Sequence, residues 1–245
     1  MWWCPSGLLT FLPIHAAAAS HSMFIQSYTP TLDGLIKART PKATTSDSIS
    51  LAAIGVTDIP GKPYLKLRFV TKELSSIKQV IASANILSDA EATVSGVLET
   101  IRNHEWLHIS CHGEQDVGNP LNSCLKLYNG NLNLSQILAE DLPRVQFAFL
   151  SACQTAMGSS KLPNESLHLA GGFIMAGCQA TIGTLWNIKD SDGAKVAEFV
   201  YRWLLDHKKT LDVHATAEAL HFAVQRLRDA GAPFEQWIPF IHVGS

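Results

Sequence analysis

Two short apolar stretches end in residues suited to nucleophilic and acid-base chemistry. "WLHISC", Trp106 to Cys111, runs into His112-Gly113, and "VQFAFLSA", Val145 to Ala152, runs into Cys153. The thiolate is the nucleophile, yet a free cysteine is mostly protonated at neutral pH, so it needs a base or a cation beside it. An imidazole supplies either. Gly113 has no Cβ, so its backbone N–H, with that of Cys153, can come close to a developing oxyanion. The residues alone leave a plainer reading open: Cys153 as a small buried apolar side chain and His112 as a turn residue. What sets the pair apart is position, because both end apolar runs and neither lies inside one.

For the two side chains to meet, the runs that carry them must be neighbouring strands about 5 Å apart. The order of elements allows this. "SLAAIGV" (Ser50 to Val56) reads as a strand closed by Asp58, Pro60 and Gly61, and a helix follows with Leu74, Ile77 and Ile81 on one face. Ser88, three residues before Glu91, is expected to open the next helix as a capping box, with Val94, Val97, Leu98 and Ile101 at helical spacing. The two runs above are buried strands, and Cys124 to Leu134 alternates around Asn129-Gly130 as a hairpin. A helix is expected from Asn164 to Ala176 with Gly177 at its C-terminal cap, then a third buried strand over Gln179 to Trp186. Asp190 or Ser191 opens a helix with Val196, Phe199, Val200, Trp203 and Leu204 as its apolar stripe. A last helix over Asp212 to Ala230 ends at Gly231, and the apolar "WIPFIHVG" closes the chain. Strands alternating with amphipathic helices imply parallel pairing through right-handed crossovers, hence a three-layer α/β/α sandwich with a mainly parallel sheet. One domain over residues 1–245 is enough.

In such sheets ligands bind beyond the carboxyl ends of the strands. Trp186, Asn187, Asp190 and Asp192 follow the third strand on the same edge as His112 and Cys153, and are candidates to line a substrate groove. The structural alternative has Asp190 or Ser191 capping the helix and Asp192 favouring its positive end. Gly171-Gly172 reads as close helix-to-sheet packing, and Cys124 and Cys178 as packing residues. His108 and His112 share strand parity while Cys111 points the other way, so no metal site is read there. No phosphate-binding loop occurs, and the chemistry of a thiol and an imidazole calls for no cofactor.

"HISCHG" together with "FLSACQTA" resembles the paired signature of the CHAT family, caspase-like domains found beside tetratricopeptide repeats or nucleotide-binding regulatory modules. "WWCPSGLLTFLPIHAA", "LPNESLHLAGGFIMAGCQATIGTLW", "DSDGAKVAEFVY" and "WIPFIHVG" resemble the same family, so the likeness covers nearly the whole chain. It implies a caspase-like fold and cysteine endopeptidase activity, with His112 as base, Cys153 as nucleophile, and the amides of Gly113 and Cys153 as the oxyanion site. It also implies an effector domain of regulated proteolysis in cell-death or defence signalling. Its partners would be a protein or peptide substrate and a regulatory repeat or nucleotide-binding module. Two residues before the cysteine stands Ser151, where caspases carry glutamine and metacaspases aspartate to shape the pocket for the residue before the cleaved bond. A serine there leaves the preferred charge open. Such domains usually carry more sequence before "WWCP", so an N-terminal part is expected to be lacking. A catalytically silent interaction or scaffolding domain of the same family is the second reading.

Composition narrows the alternatives. Of 245 residues 47% are hydrophobic, and 19 basic against 21 acidic side chains give a net charge of -2 with no basic run. Neither nucleic acid nor an anionic membrane is indicated as a partner. The five cysteines are odd in number, widely spaced and free of C-x-x-C pairs, which reads as reduced thiols in the cytoplasm. Met1 to Phe24 is apolar and uncharged, but it lacks a positive leading segment and is broken by Pro5, Gly7, Pro13 and His15, which argues against a signal peptide or a membrane span.

Overall fold

A computed structural model describes residues 1–17, 24–40, 42, 50–116, 118–152 and 168–245. The strands are β1 (Trp2–Trp3), β2 (Ser27–Tyr28), β3 (Leu51–Gly55), β4 (Asn85–Ser88), β5 (Trp106–Ser110), β6 (His112–Glu114), β7 (Cys124–Leu127), β8 (Gly130–Asn133), β9 (Phe147–Ser151), β10 (Ala180–Thr184) and β11 (Phe240–Gly244). The α-helices are α1 (Ile14–Ala17), α2 (Leu32–Ala38), α3 (Val70–Val80), α4 (Val94–Asn103), α5 (Leu134–Ala139), α6 (Leu169–Met175), α7 (Asp190–Lys208), α8 (Thr216–Asp229) and α9 (Phe234–Trp237).

The main sheet has the order β1-β2-β11-β10-β9-β5-β3-β4, with β11 antiparallel to β10 and the other pairings parallel. Strand pleating sends alternate residues to opposite faces and so builds two cores. Leu51, Ala53, Trp106, Phe147, Phe149 and Ile182 pack with α3, α7 and α8. Ala52, Ile54, Leu107, Ile109, Ala148 and Leu150 pack with α4, α5 and α6. The result is the expected α/β/α sandwich around a mainly parallel sheet. Strands β6, β7 and β8 form a separate antiparallel sheet. No helix among the described residues is long and apolar enough to cross a membrane.

Several local expectations shift. Ser88 precedes only a three-residue 3-10 turn, Asp89–Glu91, and its side chain caps nothing: β3 pairs with β4 from Ala52↔Asn85 to Gly55↔Ser88, so the sheet takes Ser88 as its last paired residue. The cap falls to Thr93, whose hydroxyl oxygen accepts the Gly96 amide at 3.1 Å before α4. The hairpin turn is Tyr128-Asn129, one place earlier than the Asn-Gly signature suggests, because Leu127 pairs with Gly130. Asn129 serves α4 instead, its side-chain oxygen accepting the Val94 amide at 2.9 Å. Helix α6 begins after His168, whose Nδ1 accepts the Gly171 amide, and the expected start at Asn164 lies outside the described residues. Gly177 does end that helix, with φ of 113°, where a side chain would be strained. Gly172 answers to a helix neighbour and not to the sheet, since a methyl there would stand 2.1 Å from Leu134 Cδ1 of α5.

The N-terminal segment contributes β1 and β2 to the sheet beyond β11, which periodicity over two-residue strands cannot reveal. A buried histidine secures that edge. His242 of β11 places Nδ1 2.7 Å from Ser27 Oγ of β2 and Nε2 2.9 Å from Thr216 Oγ1 of α8. Burial pushes its pKa from 6.5 down to about 3. The unfolded chain therefore takes up a proton that the folded chain refuses, and stability present above about pH 6.5 is lost as pH falls toward 3. Urea unfolding across that window should show this fall. His242→Asn should flatten the slope whatever its stability at neutral pH, and an unchanged slope would contradict the assignment.

Candidate active site

Strands β5 and β9 run side by side in register, with Ser110 opposite Ser151, and β3 flanks β5 with Gly55 opposite Ser110. The chain leaves the main sheet after Ser110 and enters the small sheet at His112, where β6 pairs with β7 as His112↔Lys126 and Gly113↔Leu125. His112-Gly113 thus stands at the junction of the two sheets, beyond the carboxyl ends of the parallel strands. A cavity of about 540 Å³ opens there. His112, Gly113 and Gln115 line one side, Ser110, Glu73 and Ser151 another, and Lys66, Leu67 and Asn187 through Asp190 the rest. His112, Gly113, Ser151 and Asp190 are brought together, while Cys153 lies outside the described residues.

The His112 ring is oriented by the backbone. Its Nε2 lies 2.7 Å from the carbonyl oxygen of Leu65, at the end of the short 3-10 turn Pro63–Leu65. A carbonyl only accepts, so Nε2–H donates and Nδ1 is left as the basic nitrogen. Asp190 joins two elements: its Oδ2 accepts the amides of Arg68 (2.9 Å) and Phe69 (3.2 Å), fixing the approach to α3, and its Oδ1 accepts the Ser191 amide at 3.1 Å. Lys126 and Glu114 form an ion pair at 2.5 Å, and this hydrogen bond raises the lysine's pKa. The Gln115 amide is buried with neither Nε2 nor Oε1 hydrogen-bonded among the described residues. Trp186, an expected groove residue, is absent from the lining. Its indole donates to the Glu235 carbonyl at 3.3 Å and packs toward the α4–α6 core.

Beneath the cavity lies a polar network in which Glu73, only 2% exposed, is central. Its Oε2 accepts the Ser110 hydroxyl at 2.6 Å and its Oε1 lies 3.1 Å from His108 Nε2, while His108 Nδ1 lies 3.2 Å from the Tyr201 hydroxyl. Burial, and the charge of Glu73, hold the Tyr201 pKa well above its ordinary value, so its hydroxyl keeps its proton. Sequence reasoning passed over Glu73 and the Leu65 carbonyl. For Glu73 a signal existed, since Val70, Glu73, Leu74 and Ile77 share one helix face and put a carboxylate on the buried stripe. For a backbone carbonyl no side-chain pattern exists.

This architecture is a caspase-like fold. The chain belongs to the CHAT domain family, whose model matches residues 1–245. Among solved structures it is similar to separase in the Saccharomyces cerevisiae separase–securin complex, at TM-score 0.65 and 15% identity, covering 99% of this chain and 15% of that one. It is also similar to the Arg-specific cysteine proteinase gingipain R (TM-score 0.57, 11% identity, 90% of this chain and 53% of that one). Caspase-1 from Spodoptera frugiperda matches at TM-score 0.52 and 10% identity, over 84% of this chain and 93% of that one. At these identities the likeness establishes the fold, and the chain spans about half of the gingipain chain and much less of separase. No curated protein matches the sequence.

The buried network yields a stability prediction. Glu73→Ala leaves His108 and Ser110 facing an empty acceptor site and should destabilise the fold by about 3 kcal/mol in urea unfolding. A loss below about 1 kcal/mol would show that the network contributes no more than an ordinary exposed pair.

Proposed function

We propose that this domain is a cysteine endopeptidase in which His112 is the base, Cys153 the nucleophile, and the amides of Gly113 and Cys153 the oxyanion site. The observation that carries the reading is the presentation of His112. Its Nε2 is tied to Leu65, its Nδ1 is left basic, and the residue lines a cavity that Ser151 also lines. Cys153 follows Ser151 by two residues in the sequence. Two residues of chain reach about 7 Å at most.

The chemistry follows from these groups. The Cys153 thiol gives its proton to His112 Nδ1, and the thiolate attacks the peptide carbonyl carbon while backbone amides take the charge on oxygen. His112 then returns the proton to the departing amine, leaving a thioester. A water molecule, deprotonated by the same imidazole, hydrolyses the thioester and restores the thiol. No cofactor enters this cycle. The unpaired Gln115 amide suits a peptide backbone, which offers both a donor and an acceptor. The neighbours named as separase, cysteine proteinase and caspase support a peptidase reading. Residues 1–245 act as one domain, an effector of regulated proteolysis on protein substrates in the cytoplasm, under the control of a repeat or nucleotide-binding module.

Digestion of a diverse peptide library, read by mass spectrometry, tests the proposal. Cleavage by the native sequence should fall at least about a thousandfold in Cys153→Ala and in His112→Ala. Cleavage that persists in both variants, or its absence from the folded native protein, would favour the scaffolding reading.

A further inference from the structure

One end of the main sheet is an open strand. β4 closes the order beside β3, and no strand among the described residues pairs with its outer side. Four successive pairs, Ala52↔Asn85 to Gly55↔Ser88, hold it in register without a bulge. Natural sheets usually blunt such an edge with a charge, a proline or a bulge, because its outward N–H and C=O groups can pair with another chain. Asn85, Ile86, Leu87 and Ser88 include no charge and no proline.

A groove of about 440 Å³ lies between this strand and α3. Pleating turns Ile86 and Ser88 toward it and sends Leu87 to the core on the opposite face. From α3 come Thr71, Ser75 and Lys78, exposed and one helical turn apart, so they form one wall. Leu74 and Ile86 are its apolar lining. The two charges of the groove stand at opposite ends of the strand. Lys78 Nζ donates to the carbonyl of Ala84, just before β4, at 2.7 Å. Asp89 directly follows β4, and its Oδ1 accepts the Thr57 amide at 2.7 Å. Neither forms an ion pair among the described residues. Residues 84 to 88 span about 13 Å of extended chain, so the charges are roughly four residues apart.

The geometry points to β4 and α3 as a docking site for an extended segment of a partner protein, which adds a strand to the sheet edge and carries an acidic, an apolar and a basic side chain at alternate positions. Backbone pairing gives such a segment its hold, and side chains of one parity face α3 together. The apolar one meets Leu74 and Ile86, while the outer two match Lys78 and Asp89 in charge. The ammonium of Lys78 keeps two protons to donate beyond the one given to Ala84. The site is separate from the active-site cavity, which α3 meets with Val70 and Glu73, and it stands independently of the peptidase reading.

The test measures fluorescence anisotropy of labelled, end-blocked pentapeptides with the Cys153→Ala protein, in which proteolysis cannot confuse the signal. Asp-Thr-Val-Thr-Lys and its reverse, Lys-Thr-Val-Thr-Asp, cover the two strand directions. At least one should bind with a Kd of about 100 µM or tighter, and about tenfold more weakly when glycine replaces valine. Lys-Thr-Val-Thr-Lys should bind about threefold more weakly than that peptide, and Lys78→Glu should reverse this order. A variant that binds the second peptide better is folded, so the reversal separates recognition from loss of structure. Ile86→Lys should weaken binding about tenfold or more. No binding of either mixed peptide up to about 1 mM, an order unchanged by Lys78→Glu, or full binding by Ile86→Lys would each overturn the inference.

Discussion

The carboxylate of Glu73 is the interaction on which the site's geometry depends. It comes from α3, takes the hydroxyl of Ser110 and faces His108, both on β5, and His108 in turn meets Tyr201 of α7. The rings of Tyr201, His108 and Phe149 pack together and carry the arrangement across to β9. One buried group thus fixes two helices and two strands directly beneath the cavity. Such a group is tolerated only when its partners are in place, which makes the arrangement all-or-none and gives the site one geometry.

From that anchor the remaining positions follow. With α3 held, Asp190 can fasten the approach to α3, at Arg68 and Phe69, to the start of α7. The same segment delivers the Leu65 carbonyl that orients His112. His112 itself is exposed to the cavity because two sheets claim the chain on either side of it. Trp106 to Ser110 are fully committed to the parallel sheet, and His112 to Glu114 to the antiparallel one. The proposed base at such a junction is held by backbone pairing on both sides, a firmer support than a free loop provides.

The sequence made the main strands legible because strands buried on both faces are nearly continuous apolar runs, as in Leu51–Gly55, Trp106–Ser110, Phe147–Ser151 and Ala180–Thr184. The helices were legible from their stripes, but not their starts, because caps compete with tertiary demands. Ser88 went to β4 and Asn129 to the start of α4, each drawn away from its local motif by a longer-range partner. His112, Gly113, Ser151 and Asp190 line one cavity, as strand-end logic suggests, whereas Trp186 turns away from it. The roles of Glu73 and Leu65 depend on who faces whom across the fold, and a single sequence does not state that.

The central claim, that His112 activates Cys153, is tested most directly by the alkylation rate of each cysteine with dilute iodoacetamide, followed by mass spectrometry. Cys4 is exposed and serves as the ordinary thiol, whereas Cys178 is fully buried, which pushes its pKa up to about 12 and makes it the inert reference. The account predicts that Cys153 reacts at least about tenfold faster than Cys4 at neutral pH, and that His112→Ala abolishes the difference. Equal rates at Cys153 and Cys4, unaffected by His112→Ala, would contradict it.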